Sequence, residues 1–551
     1  MRDRMRPRAW ARRSKRRRLI RNFRGTPSIQ AAAESTRTMK VFLIYIRSPK
    51  IASNSVMPLG ILYIASTLLR DGFDVRVFDT IYESPDAALD ELRGFQPDMI
   101  GVSFLTTEYK LTCEWVARMR EVCPKAILFG GGAHLSSGVG HRAAERLGLE
   151  FAVFGEGEAT TLEVCRRIRD GRDYRDVTGI LWRGHDGQVV KNAPTPLLDN
   201  LDDLPHPARH LLRKEKYLTP PGHIRSYLSN GTLTSFTSRG CNAHCTFCDT
   251  HILFGRSVRR RSVANVMEEL EEARRQFEFD SIYFMDDTFT LNQRWVYDFC
   301  KEIKRTGLAW GCETRVTSVN VALLEAMKDS GCVQVDYGVE SGSPRVLKAM
   351  KKGITRDIIV KAFDVTRAVG IRTFATMMVG LPEEKAEDVE ESISLVHRIR
   401  PNFLHVTIAT PLPGTELYDL AVQNGWVDQA KCEELEWDFV NTKEPVMTVN
   451  FTGEELLQNR RRVQNANFHR NYLSLITRRN LRHILAATFS ALKRPWQSAR
   501  AFRTFLDVKN TDVLILYFYK VYQIDYIRRN RDFQPPRLDA VFADVNPNYV
   551  R

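Results

Sequence analysis

A chain of 551 residues, 43% hydrophobic and 27% charged, has the length and apolar content for about two to four folded domains, which excludes a low-complexity or fibrous protein. Its ten cysteines include seven scattered singly, which excludes a disulfide scaffold. With no secretory signal they argue for a reducing, cytoplasmic compartment, and the lack of any run of about eighteen apolar residues predicts no transmembrane helix. The net charge of +15 is uneven: residues 1–38 carry +11 and residues 460–532 carry +12, so the remainder is mildly acidic. A basic total therefore does not imply a basic site.

Residues 1–38 form a basic tail with no apolar core, expected to be disordered; nucleic-acid or membrane contact by this tail is the weaker alternative. Met39 stands directly before the first strong strand and is a candidate start site. Residues 39–195 alternate short strands (VFLIYI, DVRVFDT, DMIGVSF, KAILFGG, FAVFGEGE) with stretches of helical apolar spacing, and GILWRGHDGQVV reads as a closing hairpin. This alternation predicts an α/β domain with a parallel, doubly wound sheet whose ligands sit at the carboxyl ends of the strands. Two glycine-rich turns lie at those ends, with Gly130, Gly131, Gly132 and His134 in one and Gly155 and Gly157 in the other. Such turns let backbone approach a flat or phosphate-bearing ligand. His134 is equally readable as a polar loop residue.

Residues 196–232 are polar and proline-rich, as a linker would be. Residues 233–430 then repeat the strand–helix pattern six times. After the first of these strands comes SRGCNAHCTFCDT, with Cys241, Cys245 and Cys248. Three thiolates at this spacing suit three irons of a cubane cluster and leave the fourth iron open, whereas structural zinc wants four protein ligands. His244 or His251 would have to supply the fourth zinc ligand, and no second C-x2-C pair exists. The run Arg256 to Arg261 beyond the triplet reads slightly better as a solvated patch than as a cradle for an anion. Residues 431–551 read as mainly helical, mixing aromatic and apolar residues with arginine. Helices packed over the barrel mouth with exposed arginines are the favoured reading; peripheral contact with an anionic membrane is the alternative, and RNA binding is disfavoured.

The cysteine triplet, with PLGILYIAS, GGAH and FGEGEAT before it and MDDTF, GVESGS, MMVGLP and PLPGTELY after it, resembles the radical SAM enzymes that carry a cobalamin-binding domain. The resemblance covers residues 39–430. It implies a flavodoxin-like cobalamin-binding domain, a partial (β/α)6 TIM barrel and a helical C-terminal region. The implied cofactors are a [4Fe–4S] cluster on Cys241, Cys245 and Cys248, S-adenosylmethionine and cobalamin. It places Phe247 by the cluster or adenine, Asp286 and Asp287 at the methionyl ammonium, and Arg315 at the methionyl carboxylate. Glu340 and Ser341 would meet ribose hydroxyls, and Gly380 to Pro382 would lie against adenine or the methionyl part. Gly130, Gly131, Gly132, His134, Gly155 and Gly157 would meet cobalamin. The loop RSPKIASNSVMPLG lacks the histidine that ligates cobalt in many such domains, so binding is expected without it. Asp-Asp after a strand also serves as a helix cap, and Gly-Leu-Pro as a plain turn.

The implied reaction is methylation of an unactivated carbon of a small molecule, apolar or tetrapyrrolic. Reduced flavodoxin or ferredoxin would be the electron donor. Oxidative cyclisation of a tetrapyrrole, as in the anaerobic Mg-protoporphyrin monomethyl ester cyclases, is the runner-up. A non-catalytic iron–sulfur nucleic-acid binder and a methylthiotransferase are both disfavoured.

Overall fold

The structure is a computed structural model that describes residues 38–47, 56–80, 85–184, 188–213, 217, 231–428, 445–467 and 481–508. The basic tail, most of the loop after the first strand, part of the linker and much of the C-terminal region lie outside these residues.

The first sheet has seven strands: β1 Lys40–Tyr45, β2 Asp74–Asp79, β3 Met99–Ser103, β4 Ile127–Gly131, β5 Phe151–Val153, β6 Ile180–Arg183 and β7 Val189–Lys191. Their spatial order is β2-β1-β3-β4-β5-β6-β7, parallel through β5 and antiparallel for the last two, so the expected hairpin extends the sheet. Alternation along β1 sends Val41 and Leu43 to one face and Phe42 and Ile44 to the other. Helices Leu59–Arg70 and Glu158–Arg169 cover the first face; Pro85–Phe95, Tyr109–Val122 and Gly140–Arg146 cover the second. The order reverses between β1 and β3, the place where doubly wound sheets open a ligand crevice.

The second sheet contains the six anticipated barrel strands: β8 Thr232–Ser235, β11 Ser281–Phe284, β12 Ala309–Thr314, β13 Cys332–Glu340, β14 Arg372–Val379 and β15 Phe403–Ile408. All are parallel and neighbour one another in chain order. A two-stranded ribbon, β9 Ser238–Arg239 with β10 Arg259–Arg260, stands apart from both sheets. Ser262, Asn292, Asn320, Thr355 and Thr415 each accept a backbone N–H at the start of a barrel helix, a cap worth about 1 kcal/mol apiece. The apolar layer on the first face of the first sheet continues without a break into the barrel core.

A partial barrel leaves an edge at β15, and an exposed edge offers unpaired backbone groups. Helix Gly453–Asn465 covers it. Gln464 accepts from the Val406 N–H (3.0 Å) and donates to the Leu404 carbonyl (2.6 Å), while Arg460 donates to the Val406 carbonyl (2.8 Å). One helix face thus stands in for a seventh strand.

Candidate active site

The ribbon explains the shape of the cysteine loop. Ser238 pairs with Arg260 and Arg239 with Arg259, so the residues between them are closed at the neck. Gly240, directly before Cys241, has φ +91°, and a Cβ there would lie 2.3 Å from the Ser257 carbonyl oxygen; only glycine fits. Asp286 fastens the neck from beneath, accepting from Thr237 N–H (3.0 Å), Thr237 Oγ1 (2.7 Å) and Ser238 Oγ. The middle of the loop is held by two backbone bonds, Thr246 N–H to Met350 O (3.1 Å) and Leu417 N–H to Thr246 O (2.9 Å).

Cys241, Cys245 and Cys248 line one cavity of about 200 Å³ at the carboxyl ends of the barrel strands. Among the described residues, no three His, Cys, Asp or Glu side chains converge as a single metal ion would require. The far wall carries Asp287, Glu313, Arg315, Asp336, Glu340 and Lys352. Arg315 Nη1 lies 4.0 Å from Cys245 Sγ, and its other amino group donates to the Lys352 carbonyl. Lys352 pairs with Glu340 at 2.8 Å and stands 5.7 Å from the Phe247 ring centre. Burial pushes the Asp287 carboxyl up to about 6 against the opposing hydrogen bond from Thr250 Oγ1 (3.0 Å), and burial also raises the Cys248 thiol. Three thiols facing carboxylates and cations fit an iron–sulfur cluster and a zwitterionic ligand.

A second cavity, about 410 Å³, opens at the carboxyl ends of β1, β3, β4 and β5. Gly130, Gly131, Gly132, Gly155 and Gly157 line it among mainly apolar side chains. Gly132 has φ +100° and no room for a Cβ beside the Phe104 carbonyl (2.9 Å), whereas a Cβ at Gly155 would meet no protein atom within 4 Å. A broad apolar mouth floored by glycine backbone fits a flat ligand such as a corrin. Barrel residues close its other side: Phe236, Arg239, Leu253, Phe254 and Met285. The short helix Thr250–Phe254 therefore serves both cavities, with Thr250 and His251 in the first and Leu253 and Phe254 in the second.

Four largely buried side chains tie the second cavity to the neck of the cysteine loop. Glu156 accepts from Arg239 (3.1 Å) and from both amino groups of Arg259 (2.7 and 3.0 Å), and Glu158 accepts from Arg239 (2.5 Å). Arg239 also lies over the rings of Tyr63 (5.2 Å) and Phe254 (5.5 Å). The glutamates belong to the glycine-rich turn of the first sheet and the arginines to the neck of the cysteine loop.

The structure thus brings Phe247, Asp287, Arg315 and Glu340 to the thiol cavity, and the five glycines to the second. Asp286 requires a correction: it points the other way, and the neck consumes its carboxylate. Ser341 lies fully buried against Ser392 and Ser343. Pro382 accepts from Asn450 through its carbonyl, and Gly380 (φ +88°) backs onto Leu456. None of these three lines the thiol cavity. His134 is buried against Tyr109 (4.8 Å between rings) and Phe104, outside the glycine-lined cavity, and burial lowers its pKa to about 4. The reading of Arg256 to Arg261 as a solvated patch fails for Arg259, Arg260 and Arg261, which are inside and hydrogen-bonded; Arg256 is exposed. Sequence reasoning missed Glu313, Asp336 and Lys352. Their one signal was position: Glu313 is the next-to-last residue of β12 and Asp336 lies midway along β13.

Glu384, close behind Gly380, is fully buried; one carboxyl oxygen accepts the Gly380 N–H and the other has no partner. Burial lifts its pKa to about 7 against that hydrogen bond. A raised carboxyl contributes its stability below the unfolded value near 4.5 and loses it as pH climbs through about 7. Glu384→Gln is therefore expected to stabilise the chain by on the order of 2 kcal/mol near pH 8 and to change little near pH 5. Thermal unfolding at the two pH values checks this, and an equal effect at both would contradict the buried-acid account.

Comparison with known proteins agrees with this geometry. Residues 235–396 match the radical SAM superfamily and residues 52–165 match the B12 binding domain. An uncharacterized methyltransferase of Pyrococcus horikoshii is 30% identical over 435 residues, spanning 76% of this chain and 90% of its own length. The cytidylyl-2-hydroxyethylphosphonate methyltransferase of Streptomyces wedmorensis is 28% identical, over 67% of this chain and 79% of its own. The solved structure of the cobalamin-dependent S-adenosylmethionine radical enzyme OxsB shares the fold with a TM-score of 0.65 at 17% identity, covering 93% of this chain and 79% of that one. The chain belongs to the radical SAM enzymes that carry an N-terminal B12-binding domain.

Proposed function

We propose that the chain is a cobalamin-dependent radical SAM methyltransferase acting on an unactivated carbon of a small molecule. One observation carries the reading: a thiol-lined polar cavity and a glycine-floored apolar cavity share a single five-residue helix as their wall. Bound there, a [4Fe–4S] cluster would supply the electron for reductive cleavage of S-adenosylmethionine, and cobalamin would supply the methyl group.

The protein's part is binding, orientation and exclusion of water. Cys241, Cys245 and Cys248 hold the cluster. Arg315 takes the methionyl carboxylate, for which a planar guanidinium is suited, and Asp287 takes the ammonium. Glu340, fixed by Lys352, meets the ribose, and Phe247 lies against the cluster or adenine. Gly130, Gly131, Gly132, Gly155 and Gly157 seat the corrin. Leu253, Phe254 and Met285 make the barrel side of the second cavity apolar, which favours an apolar carbon as acceptor and helps exclude water. A reduced flavodoxin or ferredoxin suits the single-electron supply.

The test is anaerobic reconstitution with iron, sulfide and hydroxocobalamin, read by visible spectra, metal analysis and SAM cleavage. One cluster and about one cobalamin per chain, with reductant-dependent 5′-deoxyadenosine, is the expected result. A cluster and deoxyadenosine without cobalamin would redirect the reading to another radical reaction, and no cluster would end it.

A further inference from the structure

Two consecutive helices near the end of the described chain, Leu481–Leu492 and Pro495–Val508, present apolar side chains to solvent. Leu485, Phe489 and Leu492 follow one another at helical spacing and are 61%, 59% and 73% exposed, and Trp496, just past the turn, is 86% exposed. Folded proteins seldom leave such a stripe uncovered without a partner. The rim is basic: Lys493 and Arg503 are exposed, Lys493 lies 4.5 Å from the Phe489 ring, and Arg494 caps the turn through the Ser490 carbonyl. Residues 481–508 hold five Arg/Lys against Asp507 alone.

We propose that this helical pair docks flat on a bilayer containing anionic phospholipid. Apolar side chains beside a cationic rim, with a tryptophan between them, match the boundary between acyl chains and headgroups. Charge complementarity selects this occupant, because a second copy would bring two basic rims together. No helix among the described residues is long and apolar enough to span, so the helices lie on the surface. Membrane-borne apolar molecules would then be concentrated beside the enzyme.

The experiment uses the full chain with sedimenting vesicles of phosphatidylcholine alone and of phosphatidylcholine with phosphatidylglycerol. Binding to the anionic vesicles only, weakening as salt rises, is expected. The variant Leu485→Ser, Phe489→Ser, Trp496→Ser should weaken it by at least about tenfold while keeping cluster and cobalamin content, since the altered residues are exposed. Absence of sedimentation with anionic vesicles overturns the proposal, as does binding equal on both vesicle types. A concentration-dependent dimer abolished by the variant would assign the stripe to a second copy instead. Removal of residues 509–551 that creates vesicle binding absent from the full chain would assign it to that segment.

Discussion

Replacing Glu269 by glutamine is expected to destabilise the barrel by about 3–5 kcal/mol, the cost of stranding buried charge. Glu269 lies on helix Val263–Gln276 and is 1% exposed. One carboxylate oxygen accepts from Arg209 (2.5 Å) and Ser235 Oγ (2.9 Å), and the other accepts from Arg261. Both arginines are buried as well. Burial alone would raise the Glu269 carboxyl, but Arg261 and Arg209 outweigh it and hold the pKa down at about 2. A lowered carboxyl contributes stability above the unfolded value near 4.5 and loses it as pH falls toward about 2. Glutamine keeps the shape and removes the charge, leaving two guanidinium groups inside without the carboxylate that bridges them. Urea unfolding followed by barrel tryptophan fluorescence measures the loss, and a midpoint within error of the parent would sink the account. The effect should also shrink as pH falls below about 4.5, where the unfolded parent takes up a proton that the folded carboxylate still refuses. Because Arg209 sits in the polar connector and also donates to the Thr234 carbonyl (2.9 Å), the variant should in addition make that connector easier to cleave by protease.

Arg239→Ala should lower retention of both cofactors together. Arg239 is buried, bonded to Glu156 and Glu158, and two residues from Cys241. Its loss leaves Glu158 without this cation at the wall of the glycine-lined cavity and loosens the neck of the cysteine loop. Breaking such a buried pair costs about 3–5 kcal/mol, enough for a drop of well over tenfold in retained cobalamin. Arg239→Lys should rescue only part of it, because an ammonium cannot bridge two carboxylates as a guanidinium fork does. Cobalamin and iron content after gel filtration are the readouts. Loss of stability with both contents unchanged would make the cluster of charges a plain structural staple.

The elements themselves were legible in the chain. Alternating apolar runs specify β-strands, and the helical spacing between them specifies the crossovers, so both sheets follow from local pattern. The thiol triplet and the glycine turns needed no fold to be noticed, since their chemistry depends on residue type and spacing. Which neighbour of a pair reaches a cavity is another matter. Asp286 and Asp287 are indistinguishable as letters, yet one locks the neck and the other faces the thiols. Adjacent side chains at a strand end leave in opposite directions, and only the packed sheet says which direction is inward. The same holds for Ser341 beside Glu340, and for His134 beside the glycines. Arg259, Arg260 and Arg261 show the second limit. A run of arginines reads as solvated until carboxylates about a hundred residues away, such as Glu156 for Arg259, are brought against it. Sequence by itself determined the two sheets and singled out the thiol triplet and the glycine turns, because these rest on short-range pattern and residue chemistry. Tertiary structure alone decided the charge pairing, the wall shared by the two cavities and the exposure of the terminal helices, because burial and long-range ion pairs exist only once distant segments meet.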